Sequence, residues 1–244
     1  MCTLIVNILT RYQFSLRGVG YGEIFKKYSN VRFYGHLFLY NKVKGEIMEN
    51  NMELENKNDK TKREISSYKN FLFIDFETTG LNVSKDKIIM FSYILTNNKM
   101  QIERQDDIFI NTDNSGISQE ISLLTKISQK DVLGGKNSEF LINLLKSIIN
   151  KDTLIVSYNL SFSMSFLSAF LEKNNAVDIL TNVNGLDLLE VFLENKKDVK
   201  SHSLKSAIIS FRLDVEYNEF NFCSVCLELF KRMRCECDLT LFVK

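Results

Sequence analysis

Two carboxylates separated by one residue stand at the end of an apolar run. Phe71 to Ile74 is short, apolar and β-prone, which predicts a buried strand, and Asp75 and Glu77 follow it. Because residues i and i+2 of a strand face the same side, both carboxylates should project together from one edge of a sheet. Such neighbouring charges repel each other, and a divalent cation relieves the repulsion. Together with the Thr78-Thr79-Gly80-Leu81 tail that follows, the pattern predicts a metal site, and the alternative is a strand end with two solvated acids.

The elements around this pair must hold it in place. Thr78-Thr79-Gly80-Leu81 ends the first strand in a turn, residues 87–95 form a second β-prone run, and residues 100–110 return as a third. Further strands are predicted at 153–157 and 183–186, and helices within 117–132 and at 137–150, 161–173, 187–195, 201–211 and 218–233. A three-strand meander followed by alternating helices and strands predicts an α/β fold with a mixed sheet.

The composition is that of an ordinary globular protein. The chain has 244 residues, of which 45% are hydrophobic and 25% charged, enough for one domain and an appendage. A net charge of +1 provides no global basic field, so any binding of nucleic acid must be local. Five cysteines without a credible signal sequence suggest the reducing cytoplasm. No stretch approaches a membrane span, so we expect a cytoplasmic protein with no membrane partner.

Residues 1–47 differ from the rest of the chain. They carry seven Lys/Arg and two Asp/Glu, a net charge of +5, with aromatic residues between the charges. One interpretation is a basic arm whose rings stack on bases while its cations meet phosphates. The preferred interpretation is a poorly ordered or spurious extension, with Met48 or Met52 as the start of translation. Residues 48–68 are dominated by Glu, Asn, Asp and Lys, which is typical of a charged linker.

From Phe71 to Lys231 the chain resembles the DEDD 3′–5′ exonucleases, which include the DnaQ-like epsilon subunit of DNA polymerase III and ribonuclease T. The stretch from Ile74 to Leu81 matches the first family motif completely. The resemblance implies a ribonuclease H-like exonuclease fold, a mixed five-stranded sheet flanked by helices, over residues 69–233, followed by a tail at 234–244. By the same resemblance Thr78, Thr79 and Leu81 contact the 3′-terminal nucleotide. Turn chemistry is the alternative role for these three residues.

The second family motif is incomplete. Asn159 and Phe162 are kept, and the resemblance assigns them to the 3′-end pocket. Tyr158 replaces a His, and Ser163 replaces an Asp that binds metal. Asp187 and the helix start at residues 201–204 also match family segments, as scaffold features rather than ligands.

The third family motif lacks its carboxylate. Tyr217 takes the catalytic position, and the last Asp falls on Asn221 or Phe222, depending on which subclass sets the spacing. Glu216 and Glu219 lie close by and are candidates for replacement through a shifted register. Helix phase would turn them away from the site.

The metal chemistry of the family makes these losses important. There, four carboxylates hold two divalent metals around the scissile phosphate, and a His or Tyr assists the attacking water. Asp75 and Glu77 alone suffice for one weakly held Mg²⁺ or Mn²⁺. We expect a domain that binds 3′ ends of DNA or RNA, with metal-dependent hydrolysis weak or lost. The alternatives are an active exonuclease that uses Glu216 or Glu219, and a non-catalytic module of a polymerase or repair complex.

The cysteine pairs are a weaker candidate for a site. Cys223-x-x-Cys226 and Cys235-x-Cys237 have spacings that zinc sites use. The first pair lies in phase with the core of the last predicted helix, so structural thiols are the preferred interpretation.

Overall fold

The computed structural model describes residues 63–112, 116–218 and 221–244. The strands are β1 (Asn70–Thr78), β2 (Ile88–Asn97), β3 (Ile102–Phe109), β4 (Thr153–Ser157) and β5 (Asn184–Asp187). The helices are α1 (Gln119–Thr125), α2 (Gln129–Leu133), α3 (Ser138–Ile148), α4 (Leu160–Lys173), α5 (Leu188–Asn195), α6 (Leu204–Ser210) and α7 (Phe222–Glu236). The predictions for residues 1–47, and for the linker up to residue 62, lie outside the described residues.

The five strands form one mixed sheet with β1 at its centre. Their order is β3-β2-β1-β4-β5. β1 pairs antiparallel with β2, and β2 pairs antiparallel with β3, which forms the predicted meander. β4 pairs parallel with both β1 and β5. Parallel neighbours need crossover connections, and helices supply them here. The predicted α/β fold with a mixed five-stranded sheet is confirmed.

Both faces of β1 are buried, which explains its continuous apolar sequence. Phe71 and Phe73 join a core cluster that includes residues of α5, α6 and α7. Leu72, Ile74 and Phe76 join a second cluster on the opposite face, built with α3 and α4. Odd-numbered residues of β1 therefore face α7, and the alternation carries Asp75 and Glu77 to that same face.

Polar side chains cap the helices that surround the sheet. Ser118, Ser128, Asn137 and Ser203 precede α1, α2, α3 and α6, and each side chain accepts a backbone N–H of the first turn. At α2 the cap is reciprocal, because Asp131 accepts the backbone N–H of Ser128 at 2.8 Å and its hydroxyl at 2.6 Å. These hydrogen bonds lower the pKa of Asp131.

Packed structure is present on both sides of residues 69–233. Ile65, in a short 3₁₀ helix at Ile65–Ser67, is buried in the same core as Phe71. At the other end α7 continues to Glu236, and the backbones of Lys244 and Gly185 exchange hydrogen bonds of 2.9 and 3.0 Å along β5. Within the described ranges, every helix falls short of the length and apolarity that crossing a bilayer requires.

Candidate active site

The two carboxylates of the first motif lie near the C-terminal end of β1. Asp75 is half-buried, and Glu77 is 5% exposed. In the antiparallel pairing Asp75 is opposite Ser92 and Glu77 is opposite Met90, and the register shifts directly after Glu77. Both acids are thus on the central strand, on the face covered in part by α7, as the i, i+2 spacing predicts.

A cavity of about 340 Å³ opens beside Asp75. Its lining comes from β1 (Asp75), β2 (Ser92, Tyr93, Ile94), β3 (Gln105, Asp106, Asp107) and the start of α7 (Asn221, Phe222, Cys223, Ser224). The lining includes three acidic residues, and no Lys or Arg is among these described residues. A bare phosphate would be repelled there, so the cavity requires a cation before it can hold an anionic strand.

Asp107 is a cavity carboxylate that the sequence reasoning missed. Asp75 pairs with Ser92, and Ser92 pairs with Asp107 on the edge strand β3. Residues directly opposite each other in antiparallel strands point to the same face, so Asp75 and Asp107 share a face two strands apart. Only the register of β3 could have signalled this neighbour.

Two buried thiols on α7 lie close to Asp75. Cys223 donates its S–H to the carbonyl of Ser92 at 3.4 Å, and it is 6% exposed, whereas Cys226 is 1% exposed. Burial raises the pKa of both thiols, and the charge of Asp75 raises it further. Neutral thiols are poor zinc ligands. The described cysteines are all free, in line with a structural role.

Ser163, the residue that replaces a metal-binding Asp, is buried within the protein. It is 2% exposed, and its hydroxyl lies 3.2 Å from that of Ser157, which ends β4 and is fully buried. The two hydroxyls satisfy each other in a place where an uncompensated carboxylate would be costly. The second motif therefore supplies no charge here.

Tyr158 and Asn159 begin the second motif, and both make hydrogen bonds to other parts of the protein. Tyr158 donates its hydroxyl to the carbonyl of His202 at 2.7 Å, and burial raises its pKa well above the ordinary value. Asn159 has a left-handed conformation, with φ of 73°, at the start of α4. Phe162 stacks in a tilted geometry on Phe166, with ring centroids 5.0 Å apart. The turn thus presents Asn159 and Phe162 from one fixed helix start.

Asp187 holds that turn and the next helix together. Its carboxylate accepts the backbone N–H groups of Asn159 at 2.8 Å, Leu160 at 2.9 Å and Leu189 at 2.9 Å. It is 7% exposed, and burial raises its pKa although the backbone donors oppose the shift. One buried carboxylate caps both α4 and α5, which is a scaffold role.

The third-motif positions contribute no carboxylate. Phe222 is 3% exposed in the core, although it also lines the cavity. Asn221 accepts the N–H of Asn218 at 2.9 Å and donates its amide to the carbonyl of Glu216 at 2.6 Å, which secures the preceding loop. Tyr217 packs partly buried against the core and is not among the cavity residues.

Glu216 and Glu219 are the two replacement candidates near this motif. The side chain of Glu216 is exposed and is not part of the cavity lining. Glu219 lies outside the described residues. Of the described acids, Glu216 therefore lies outside the cavity lining, and Asp107 lies in it.

The Thr-Thr-Gly loop, residues 78–82, leads from β1 toward β2. Thr78 donates its hydroxyl to the carbonyl of Gly80 at 2.5 Å. Thr79 donates its hydroxyl to Asp86 at 3.1 Å and accepts the N–H of Lys87 at 3.0 Å. These are the contacts of turn chemistry, the alternative role for both residues. Because these hydroxyls already bind within the loop, a ligand would contact the backbone of the loop or other side chains such as Leu81.

The donor set does not fit a pair of divalent cations. The expected ligand positions hold Asp75, Glu77, Ser163 and either Asn221 or Phe222, so two of the four are carboxylates. Among the described residues, no group of three or more His, Cys, Asp or Glu side chains is arranged to hold a metal ion. The carboxylates present at these positions, Asp75 and Glu77, could supply only part of the coordination of a divalent cation, and water molecules would supply the rest.

A family model and curated relatives match this chain. The RNase_T family model, described as exonuclease, matches residues 72–218. The DNA polymerase III PolC-type of Mycoplasma pneumoniae is 23% identical over 194 residues, which is 80% of this chain and 12% of that protein. The PolC-type polymerase of Latilactobacillus sakei is 27% identical over 148 residues, 61% of this chain and 10% of that protein. The chain thus spans about a tenth of the length of these relatives.

Solved structures of exonuclease I share the fold. The product-bound structure of exonuclease I superposes with a TM-score of 0.59 at 17% identity, covering 69% of this chain and 44% of that one. The Escherichia coli enzyme in complex with a dT13 oligonucleotide gives 0.58 at 18% identity, covering 68% and 41%. These likenesses support the ribonuclease H-like exonuclease fold.

Proposed function

The chain belongs to the DEDD 3′–5′ exonuclease family, and on that premise we propose that it binds 3′ ends of nucleic acid while metal-dependent hydrolysis is weak or lost. The intact first motif and its Thr-Thr-Gly loop support the binding. The state of the other motifs supports the loss of hydrolysis.

One observation carries the proposal: each lost ligand position has a structural role. Ser163 pairs with the hydroxyl of Ser157, the ring of Phe222 is in the core, and the amide of Asn221 secures its own loop. In a two-metal mechanism the cations stabilise both the attacking and the leaving oxygen. Losing such charge stabilisation costs about 3–4 kcal/mol, or a factor of 10²–10³ in rate, for each element removed.

The electrostatics of the cavity make binding dependent on a cation. Asp75 and Asp107 share a face of the sheet and would repel any phosphate that enters the cavity. One Mg²⁺ held by Asp75 would offset part of that charge and supply the attraction that the lining lacks. We therefore expect the affinity for a strand with a free 3′ end to rise with Mg²⁺ and to fall with chelator.

A slow exonuclease is the second candidate function. Asp107 lines the same cavity as Asp75 and could take part in place of a lost carboxylate. This alternative differs from replacement by Glu216, whose exposed side chain lies outside the cavity lining. It predicts laddering that Asp75→Ala and Asp107→Asn both abolish.

A third candidate is a module of a polymerase or repair complex without a role in strand binding. The curated relatives are PolC-type polymerases about ten times longer than the matched segment, which supports a polymerase context. A stable complex with a polymerase in pull-down, together with no binding of 3′-ended strands, would select this candidate.

The test uses single-stranded DNA and RNA labelled at the 5′ end, with either a 3′-hydroxyl or a 3′-phosphate. Fluorescence anisotropy in MgCl₂, MnCl₂ and EDTA measures affinity, and gel electrophoresis measures laddering. The proposal predicts tighter, metal-dependent binding of the 3′-hydroxyl strand and at most slow laddering. Equal binding of both strands would refute the binding claim, and rapid laddering abolished by Asp75→Ala would refute the loss of hydrolysis.

A further inference from the structure

Asp86 lies just before β2 and contacts the Thr-Thr-Gly loop through both carboxylate oxygens. Oδ1 accepts the hydroxyl of Thr79 at 3.1 Å, and Oδ2 accepts the backbone N–H of Asn82 at 2.7 Å. The backbone N–H of Asp86 in turn donates to the carbonyl of Asn82 at 2.7 Å. Asp86 therefore holds two points of the loop at once.

Gly80 shows how closely the loop packs on this carboxylate. A Cβ atom built on Gly80 would lie 2.5 Å from Oδ2 of Asp86, so an added side chain would have to displace that carboxylate. Glycine thus allows a close approach here and does not serve an unusual φ, because no glycine in the described residues has a positive φ. The loop and the carboxylate form one packed unit directly after Glu77.

The neighbouring backbone reinforces this arrangement but does not replace it. The N–H of Thr79 donates to the carbonyl of Lys87 at 2.9 Å, and the N–H of Lys87 donates to the hydroxyl of Thr79. Thr79 is therefore fixed from both sides, by Lys87 and by Asp86. At both ends of the segment from Gly80 to Asn82, the backbone packs against the carboxylate of Asp86.

We propose that Asp86 is a positioning residue that sets the conformation of the Thr-Thr-Gly loop and thereby the recognition of a free 3′ end. The inference rests on the proposed function, which assigns this loop to the terminal nucleotide. Asp86 acts through the loop and has no role as a metal ligand or as a reacting group.

The hydrogen-bond pattern predicts which substitutions preserve the loop. Asp86→Asn keeps one oxygen to accept the N–H of Asn82, and its amide can donate to the hydroxyl of Thr79, which is able to accept. Asp86→Ala removes both contacts. Both lost contacts are hydrogen bonds to a charged group, so we expect Asp86→Ala to weaken binding of a 3′-hydroxyl strand about tenfold or more.

Asp131→Ala is the matched control. Asp131 accepts one backbone N–H and one hydroxyl, as Asp86 does, but it caps α2 and is not part of the cavity lining. A loss of hydrogen bonds alone would make the two alanine variants alike. A positioning role predicts that only Asp86→Ala changes the preference for a 3′-hydroxyl.

The experiment measures dissociation constants of the full chain for 5′-fluorescein-labelled oligothymidylate with a 3′-hydroxyl or a 3′-phosphate, in MgCl₂. Thermal unfolding of each variant accompanies the titrations. Asp86→Ala should lose most of the preference for the 3′-hydroxyl over the 3′-phosphate strand. The dissociation constants of Asp86→Asn and Asp131→Ala should stay within about twofold of those of the original chain. If Asp86→Ala keeps the preference, or Asp131→Ala loses it equally, the positioning role is wrong. If the original chain shows no preference, the proposed function fails and the inference falls with it.

Discussion

Returning a carboxylate to position 163 should destabilise the protein unless a cation is present. Ser163 is 2% exposed, and its hydroxyl lies 3.2 Å from the hydroxyl of Ser157. In Ser163→Asp, one hydroxyl would have to replace the hydration of a buried charge. The net cost should be about 3 kcal/mol at neutral pH. For a domain of this size, such a loss lowers Tm by about 6–12 °C.

Ser163→Asn separates charge from size, because it has nearly the same shape and no charge. The difference in Tm between the Asp and Asn variants, measured by differential scanning calorimetry, isolates the cost of the carboxylate. Burial should raise the pKa of the new Asp, so the folded form prefers it protonated. The deficit of the Asp variant is therefore present at neutral pH and disappears as the pH falls below about 4, the value for an unfolded Asp.

Millimolar MnCl₂ should raise the Tm of Ser163→Asp by more than the Tm of Ser163→Asn, because a cation that binds only the folded state stabilises it by mass action. The reasoning is refuted if the two variants have the same Tm at neutral pH. It is also refuted if their difference does not depend on pH.

The remaining predictions concern the scaffold around the site. Tyr158→Phe removes the hydrogen bond to the His202 carbonyl and should lower the free energy of unfolding by about 1–2 kcal/mol. Urea titration measures this loss, and the dependence of the free energy on urea concentration should stay unchanged. Asp187→Asn should destabilise α4 and α5 together. Because burial raises the pKa of Asp187, the stabilising contribution of this residue is largest at acidic pH and declines as the pH rises through that pKa. The difference in free energy of unfolding between the original chain and Asp187→Asn should therefore become smaller between acidic and neutral pH. Cys223 and Cys226 should resist iodoacetamide in the folded protein, because burial raises the pKa of both thiols, and should react only in denaturant; rapid alkylation, followed by mass spectrometry, would contradict this.

Local patterns in the sequence identified the strand and its carboxylates, and motif spacing identified Ser163 and Asn221 as altered positions. These features depend on residues close together in the chain. Strand β1 is buried on both faces, so a short apolar run followed by two acids was sufficient to place Asp75 at its end.

Asp107 could not be found in the same way, because its position depends on register. Counting back from the pair Thr96–Ile102 would put Asp106 opposite Ser92, but an irregularity between Leu95 and Thr96 shifts the pairing by one residue. A one-residue shift exchanges the two faces of a strand. Asp107 therefore shares a face with Asp75, and no local pattern records that shift.

The contacts that Ser163 and Tyr158 make in the folded protein could not be predicted from the sequence either. The hydroxyl pair of Ser157 and Ser163 joins a strand end to a helix, and the bond from Tyr158 to His202 spans 44 residues of chain. Such contacts follow from tertiary packing, which sequence periodicity does not describe. They convert missing ligands into structural residues.

The number of cations at Asp75 tests the central claim most directly. A crystal soaked in MnCl₂, with anomalous scattering recorded at the manganese edge, counts them without reference to activity. The donor set predicts at most one weakly occupied Mn²⁺ in the cavity beside Asp75. Two fully occupied Mn²⁺ ions there, completed by carboxylates from elsewhere in the chain, would contradict the account.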